Sequence, residues 1–308
     1  MRVAVVGAGA MGSLFGALLA ETGTDVWLID IWEAHVRATQ KAGLTIEREG
    51  QTRMVALNAT TDPADVGLCD LVIVFVKSIH TADAARTAAN LAGKNGLVLT
   101  LQNGLGNADR IARDIDPRRV LAGTTSYGAT LHGPGKIRHA GVGLTTIGMW
   151  HPGDPARAED VAACFSKAGI ETEVVDDVRG IVWGKLLINV GINAITALSG
   201  IKNGQLLDLE ETVWLSKAAV KEAMAVAEAQ HIDVRPDAAE HALEVARATG
   251  SNRSSMGQDV DKQRMTEIGT INGAVVREAK RLGMQAPVNQ TLTALVETLQ
   301  AHYKERIE

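Results

Sequence analysis

The chain has 308 residues, of which 46% are hydrophobic, 22% charged and 3% aromatic, and its formal net charge is −5. This length suits about two domains of globular composition. The acidic balance argues against nucleic-acid binding, and two cysteines without a Cys/His cluster argue against a metal site. The sequence shows no run of about 18 apolar residues, the length that predicts a membrane span, so we expect a cytoplasmic protein.

The first predicted elements are a strand, Arg2–Val6, and a helix, Ala10–Thr22, which flank the motif G-x-G-x-x-G. In a dinucleotide-binding turn, the first glycine permits the tight turn and the second lets the backbone approach a pyrophosphate. The third lets the helix pack on the strand, and the helix N-terminus offers free N–H groups to the anion. We therefore predict that a pyrophosphate binds at Gly7, Ala8, Gly9, Ala10, Met11 and Gly12; a glycine turn that serves only packing is the alternative.

The next strand, Asp25–Asp30, ends on a carboxylate. A carboxylate at this position favours the ribose 2′-hydroxyl and repels a 2′-phosphate. The nearest downstream cation, Arg37, lies a turn further on in the predicted helix Trp32–Ala42. Asp30 therefore favours NAD(H) over NADP(H).

The first half continues to alternate strands with helices, which predicts an α/β domain with a Rossmann-type, doubly wound sheet. Further strands are predicted at Leu71–Val76, Leu97–Gln102, Val120–Tyr127 and Glu171–Val175, and further helices at Ala82–Leu91, Gly106–Asp114 and Pro155–Ala168. Two hairpins are predicted, one pairing Leu44–Ile46 with Met54–Leu57 and the other pairing Lys136–Ala140 with Gly143–Gly148.

Lys77 and Asn103 directly follow two of these strands. Ligands of open α/β sheets lie at the carboxyl ends of the strands, so we place both side chains at the same rim as the glycine turn. A solvated lysine and a turn asparagine are the alternatives.

After about residue 176 the strand signals cease, and a C-terminal all-α domain is predicted. Its helices are predicted at Ile181–Ser199, Glu211–Gln230, Asp237–Ala248, Ser255–Leu282 and Val288–Glu308. The chain therefore divides into a dinucleotide-binding domain, residues 1–176, and a helical substrate and dimerisation domain, residues 177–308.

Two helical segments carry polar side chains that predict a ligand site. Lys185, Asn189 and Asn193 recur every four residues on an otherwise apolar helix, so they share one face. Such groups are costly to bury without partners, so a ligand-facing stripe is favoured over a solvated one. Ser255 and Glu267, twelve residues apart, are expected to share a broad face of one helix.

These motifs resemble the ketopantoate reductase family over nearly the whole chain. The shared motifs are G-A-G-A-M-G, V-K, Q-N-G, W-x-K-L-x-x-N-x-x-x-N and S-S-M-x-x-D-x-x-x-x-R-x-T-E-x-x-x-I-N-G. The resemblance implies that Lys185 is the general acid and that Glu267 bonds at the reaction centre or orients the lysine. It further implies that Asn103, Asn189, Asn193, Asn203 and Ser255 bind substrate, and that Lys77, Asn103 and Ala129 line the cofactor together with the glycine turn.

The expected function is an oxidoreductase that transfers hydride to the C2 ketone of 2-dehydropantoate and gives (R)-pantoate, a step of pantothenate and coenzyme A biosynthesis. NADP(H) is the family's usual cofactor, and a homodimer formed by the helical domain is expected. One alternative is an NAD-dependent D-2-hydroxyacid dehydrogenase on the same scaffold. Another is a non-catalytic dinucleotide sensor, although Lys185 and Glu267 argue against it.

Overall fold

The computed structural model describes residues 1–303, and the chain divides into two compact units. The first comprises Met1–Gln102 and Asn107–Val178, and the second comprises Asn103–Gly106 and the chain from Arg179 onward. The predicted division after residue 176 lies two residues from the division at Val178. No sequence signal indicated that the short segment Asn103–Gly106 groups with the helical unit.

In chain order, the strands are β1 (Arg2–Val6), β2 (Asp25–Ile29), β3 (Leu44–Arg48), β4 (Gln51–Val55), β5 (Asn58–Thr60), β6 (Leu71–Val74), β7 (Leu97–Thr100), β8 (Val120–Thr125), β9 (Gly128–Gly133), β10 (Lys136–Gly141), β11 (Thr145–Met149) and β12 (Thr172–Val174). The helices are α1 (Ala10–Ala20), α2 (Glu33–Ala42), α3 (Thr81–Ala92), α4 (Asn107–Ile111), α5 (Pro155–Lys167), α6 (Val178–Ser199), α7 (Glu210–Glu228), α8 (Ala238–Ala248), α9 (Ser255–Asp261), α10 (Asn272–Arg281) and α11 (Pro287–Ala301).

The first unit contains an eight-stranded sheet in the order β12-β11-β8-β7-β6-β1-β2-β5. The run from β8 to β5 is parallel, and β11 pairs antiparallel with β8. Strands β6 and β7 are buried at every residue, as expected for a parallel sheet covered on both faces. The predicted α/β fold with a doubly wound sheet is confirmed.

A second sheet of the same unit has the order β4-β3-β10-β9. The predicted hairpin of β3 and β4 is confirmed, with Leu44 opposite Val55. The predicted pairing of Lys136–Ala140 with Gly143–Gly148 is wrong, because β10 pairs with β9 and β3, whereas β11 joins the larger sheet. The burial patterns explain the difference: β10 alternates between exposed and buried residues, as in a sheet with one wet face, whereas β11 is almost entirely buried.

Helix α1 packs between the two sheets, contacting β1 and β2 on one side and β9, β10 and β3 on the other. This double contact explains why the helix is apolar nearly all round. Phe15 on this helix is fully buried and contacts the rings of Phe75, Tyr127 and Phe165, with ring centroids 5.1–5.8 Å apart. The N-terminus of α1, which carries the glycine motif, is therefore fixed by packing along the whole helix.

The second unit is built around α6, an apolar helix of 22 residues. This helix is long and apolar enough to cross a membrane, with a mean hydropathy of 1.6 over its most apolar window. By length and composition alone, the expectation that the chain has no membrane-length apolar segment is therefore wrong. However, 61% of that window is buried inside the protein. Such burial is typical of the core helix of a folded unit.

The predicted single helix Ser255–Leu282 is wrong, because the chain leaves the helix after Asp261 and resumes it at Asn272. The break falls in a polar run in which Gln263 adopts a left-handed backbone conformation, with φ 50°. Lys262, Gln263 and Arg264 offer no apolar side chain to the core, and Met265 after them is 50% exposed, so packing does not hold this stretch helical. Ser255 and Glu267 therefore do not share one helix face as expected.

Candidate functional site

The glycine turn of the first unit has the geometry that the motif predicts. Gly7 adopts φ 98°, and a Cβ added there would lie 2.6 Å from the Val76 backbone nitrogen. A Cβ added to Gly12 would lie 2.0 Å from the Gly7 carbonyl oxygen, so the helix approaches the turn too closely for a side chain. A Cβ added to Gly9, by contrast, would meet nothing within 4 Å. Gly7 and Gly12 thus serve packing, whereas Gly9 borders open space that a ligand can fill.

Asp30 follows the last residue of β2, as predicted. Its Oδ1 accepts a hydrogen bond of 2.9 Å from the Trp32 backbone amide, which fixes the carboxylate at the strand end. The next residue, Ile31, is 90% exposed. Arg37, the nearest downstream cation in the sequence, pairs with Glu33 at 2.7 Å.

Arg53 is a basic residue on β4 of the second sheet. It donates two hydrogen bonds to the Glu21 carboxylate, at 2.8 and 3.1 Å. This hydrogen bond to Glu21 raises the pKa of Arg53.

The rim beyond β6 and β7 is organised by Gln102, which the sequence did not single out. Its side-chain amide donates to the Val76 carbonyl oxygen at 2.7 Å and to Thr81 Oγ1 at 2.9 Å, and its Oε1 accepts from Thr100 Oγ1. Gln102 thereby ties together the ends of both strands and the start of α3. Lys77 lies exposed just after Val76, at the rim where it was predicted.

Ala129 lies on β9 of the second sheet, opposite His139. It is partly buried and packs against the core of the first unit. Its strand contacts α1, the helix that carries the glycine motif.

In the second unit, the segment Asn103–Gly106 is held against a short 3-10 turn, Ile268–Thr270. The Leu105 amide donates to the Thr270 carbonyl oxygen at 2.8 Å, and Gly104 has φ 85°. A Cβ on Gly104 would lie 2.4 Å from that same oxygen. This close approach brings Asn103 to Glu267, whose Oε2 lies 3.5 Å from Asn103 Nδ2.

Lys185 on α6 and Glu267 form the charged centre of this cluster. Glu267 is 8% exposed, and Lys185 is partly buried. Burial lowers the pKa of Lys185 to about 8, and the nearby Glu267 carboxylate opposes this lowering. A lysine with such a pKa can release a proton from its ammonium form, or take one up in its neutral amine form, near neutral pH, whereas an exposed lysine stays protonated there. The structure thus brings together three predicted site residues: Lys185, Glu267 and Asn103.

Asn189 and Asn193 follow Lys185 at helical spacing on α6, so the three Cβ atoms lie along one face of the helix. Asn189 is partly buried, and Asn193 is 5% exposed. Asn193 Nδ2 has no hydrogen-bond partner among the described residues. Because buried donors are rarely left unpaired, this amide is suited to donate to a ligand.

Asn203 and Ser255 are positioned differently. Asn203 is 8% exposed, and its Nδ2 donates to Thr249 Oγ1 at 2.9 Å, so its side chain helps to fasten the turn after α6. Ser255 is exposed in the first turn of α9, behind Ser254, whose hydroxyl caps that helix. The predicted start of this helix at Ser255 is therefore confirmed, whereas its predicted length is wrong.

Thr266 and Gln300 hold the chain segment that precedes Glu267, although nothing in their sequence context indicated this contact. The Thr266 amide donates to Gln300 Oε1 at 2.6 Å, which ties the irregular segment before Glu267 to α11. Such a long-range contact carries no local sequence signal. Among the described residues, no group of three or more His, Cys, Asp or Glu side chains is arranged to hold a metal ion.

Comparison with known proteins agrees with this architecture. The family described as "Ketopantoate reductase PanE/ApbA" matches residues 3–152, and its C-terminal counterpart matches residues 177–300. A 2-dehydropantoate 2-reductase of Halobacterium salinarum is 42% identical over 301 residues, covering 97% of this chain and 99% of the relative. One from Pyrococcus horikoshii is 36% identical and covers 96% of each chain.

Solved structures are similar throughout the chain. A D-mandelate dehydrogenase bound to NADH and anilino(oxo)acetate has a TM-score of 0.94 at 29% identity, covering 99% of this chain and 100% of that one. A ketopantoate reductase from Ralstonia eutropha has a TM-score of 0.91 at 33% identity, with the same coverage. The chain belongs to the ketopantoate reductase family.

Proposed function

We propose that this protein is a 2-dehydropantoate 2-reductase, which reduces the C2 ketone of 2-dehydropantoate to the (R)-alcohol with a nicotinamide cofactor. The observation that carries this proposal is the cluster of Lys185, Glu267 and Asn103 in a member of this family. Relatives that carry this name match the chain from end to end.

The reaction adds a hydride to C2 and a proton to its oxygen. The nicotinamide, when bound, supplies the hydride. The Lys185 ammonium donates the proton to the carbonyl oxygen and, being positive, stabilises the negative charge that develops there. With its pKa at about 8, Lys185 is mostly protonated at neutral pH and releases its proton more readily than an ordinary lysine.

Glu267 acts on the lysine by favouring its charged form, because a carboxylate nearby offsets part of the cost of burying the ammonium. Asn103 contacts Glu267 and so orients the carboxylate. Among the substrate-binding residues, Asn193 offers its unpaired amide to an oxygen of the substrate, together with Asn189 on the same helix face. Asn203 and Ser255 are assigned to the substrate by family resemblance alone.

The glycine turn fits the pyrophosphate of the cofactor, since the space beside Gly9 is open and the first turn of α1 faces it with free N–H groups. The proposed cofactor contacts extend to Ala8, Ala10, Met11, Lys77, Asn103 and Ala129. We assign NAD(H) as the preferred cofactor because the Asp30 carboxylate follows the end of β2, where folds of this type bind the ribose, and because Arg37 and Arg53 each pair with a glutamate.

A second candidate is an NAD-dependent D-2-hydroxyacid dehydrogenase. The similarity to a D-mandelate dehydrogenase with NADH, at a TM-score of 0.94, favours it, as does Asp30. This enzyme would use Lys185 in the same role and differ in the side chains that shape the pocket.

A panel of 2-keto acids assayed with NADH and NADPH separates these functions. We expect 2-dehydropantoate to give the highest kcat/KM, and NADH to exceed NADPH by at least about tenfold, since about 1.4 kcal/mol of charge repulsion suffices. Higher kcat/KM with an aromatic 2-keto acid would favour the second candidate. Absence of turnover with every keto acid, together with tight cofactor binding, would leave a non-catalytic sensor.

The cofactor assignment has its own test in the double variant Asp30→Ala, Ile31→Arg. It removes the carboxylate and adds a cation at the exposed position beside it, so it should narrow or reverse the preference for NADH. A wild-type preference for NADPH would contradict the reading of Asp30.

We further propose a cytoplasmic homodimer that forms through the helical domain, residues 177–308. Analytical ultracentrifugation tests the oligomeric state. A single 32.6 kDa species at working concentration would contradict the dimer.

A further inference from the structure

A series of three hydrogen bonds connects the core of the first unit to the glycine turn, and the proposed reaction does not involve it. The Gly135 amide donates to His35 Nδ1 at 3.0 Å, and His35 Nε2 lies 3.1 Å from Ser13 Oγ. Ser13 Oγ donates to the Ala8 carbonyl oxygen at 2.8 Å. His35 and Ser13 are both fully buried, with no exposed surface.

The directions of these bonds are determined by chemistry. A backbone amide can only donate, so His35 Nδ1 carries no proton and Nε2 carries the single proton of a neutral ring. Nε2 therefore donates to Ser13, and the serine hydroxyl directs its own proton to Ala8. Burial lowers the pKa of His35, which keeps the ring in the neutral form that this arrangement needs, although the Asp30 carboxylate opposes the shift.

The last acceptor in this series of hydrogen bonds is the carbonyl oxygen of Ala8, a residue of the glycine motif. Its carbonyl belongs to the same planar peptide as the Gly9 N–H, and in a trans peptide these two bonds point in opposite directions. Because Ser13 holds the Ala8 carbonyl toward the helix, the Gly9 N–H faces away from it. The space beside Gly9 is open, in that an added Cβ would meet nothing within 4 Å, and no backbone carbonyl of the described residues accepts from the Gly9 amide.

We propose that His35 is a positioning residue for cofactor binding: through Ser13 it fixes the peptide between Ala8 and Gly9 so that the Gly9 N–H donates to the cofactor pyrophosphate. The relay begins at Gly135, in the turn between β9 and β10, whose carbonyl in turn accepts from Thr45 on β3. The second sheet thereby supports the phosphate-binding turn. This inference rests on the proposed use of a nicotinamide dinucleotide.

Two conservative variants separate the two ends of the imidazole. His35→Asn retains a polar atom at the position of Nδ1, which can accept from Gly135, but it is too short to reach Ser13. His35→Gln places an amide nitrogen at the position of Nε2 and can still donate to Ser13. We expect His35→Asn to raise the Kd for NADH about fivefold to tenfold, the effect of losing one neutral hydrogen bond. His35→Gln should stay within about twofold of the wild type.

The ligand series ADP-ribose and adenosine, measured by isothermal titration calorimetry, identifies where the effect acts. A positioning role predicts that His35→Asn weakens ADP-ribose by the same factor as NADH and leaves adenosine, which has no phosphate, within about twofold. In turnover assays the loss should appear in the KM for NADH more than in kcat. Equal weakening of adenosine, or His35→Gln binding as poorly as His35→Asn, would overturn the proposal.

Two further variants guard against an effect of folding. Ser13→Ala removes only the hydroxyl and should reproduce the weakening of ADP-ribose even where His35→Asn fails to fold. His139→Asn alters another buried histidine of the same unit, one that contacts the Gly141 carbonyl, and should leave ADP-ribose binding unchanged. If the wild-type protein binds ADP-ribose but reduces no keto acid, the reductase proposal is wrong and the positioning role of His35 is unaffected. If Ser13→Ala binds ADP-ribose as tightly as the wild type, the positioning role alone is wrong.

Discussion

The influence of Glu267 on Lys185 can be measured by removing the negative charge while keeping the shape, in Glu267→Gln. The pKa of Lys185 is about 8 because burial lowers it more than the Glu267 carboxylate raises it. Without the carboxylate, burial acts unopposed and the pKa falls further. A charge partner at close range typically changes a pKa by about one to three, so we expect a value of about 7 or below in the variant.

Reduction requires the protonated lysine, so the sign of the effect follows directly. In the wild type, kcat/KM for reduction should fall as the pH rises through about 8. A fall in pKa to about 7 reduces the protonated fraction at pH 8 from about one half to about one tenth, a loss of about fivefold, whereas at about pH 6 both proteins stay mostly protonated. The ratio of wild-type to variant kcat/KM should therefore grow with pH.

The assay is the pH dependence of kcat/KM at saturating cofactor, which reports groups of the substrate-free enzyme. Glu297→Gln, on the exposed face of α11, removes the same charge elsewhere and should leave the basic limb of the profile in place. A Glu267→Gln profile that is lower but parallel to the wild type at every pH would refute the reasoning, since it would mean that Glu267 contributes only binding.

Two predictions concern the framework of the helical unit. Glu222 accepts hydrogen bonds from the first amides of α11, at 2.9 and 3.0 Å, so Glu222→Ala should lower the free energy of unfolding by about 1–3 kcal/mol. Urea denaturation measures this loss, with Glu297→Ala as the control, and an unchanged unfolding midpoint in Glu222→Ala would contradict the prediction. Gly104→Ala introduces a Cβ 2.4 Å from the Thr270 carbonyl oxygen at a positive φ, so it should displace Asn103 from Glu267 and lower kcat about tenfold or more in steady-state assays. A kcat equal to that of the wild type would contradict this prediction.

The fold of the first unit was largely predictable because its signals are local. Apolar strands bounded by glycine, and the spacing of Gly7, Gly9 and Gly12, depend only on neighbouring residues. The wrong pairing of Lys136–Ala140 shows the limit of such signals. The chain from β10 to β11 is short enough for a hairpin, and only the burial of β11 within the larger sheet, a tertiary property, distinguishes the two pairings.

The candidate site was predictable by residue type but not by position. The spacing of Lys185, Asn189 and Asn193 on a helix followed from the sequence, and their helix is confirmed. Asn103 was expected to belong with the strand that precedes it, yet its segment bonds to the turn before α10. No pattern within the sequence links residues 164 positions apart, so the contact between Asn103 and Glu267 required the structure.

Lys185 illustrates why a functional residue conflicts with stability. Its pKa in the folded protein, about 8, lies below the value of 10.5 in an unfolded chain, so the charged form is destabilised by folding. This cost is present in full below about pH 8 and disappears as the pH rises toward 10.5, because the folded protein then loses the proton before the unfolded chain does.

Lys185→Met, which keeps the length of the side chain without the charge, should therefore abolish most turnover and yet stabilise the protein at about pH 7, by at most about 3 kcal/mol. The gain should shrink as the pH approaches about 10, where the wild-type lysine is itself neutral in the folded state. Urea denaturation at several pH values measures this gain, with Lys221→Met at an exposed position of α7 as the control. A variant less stable than the wild type at every pH would mean that the ammonium contributes more through its contacts than it loses by burial.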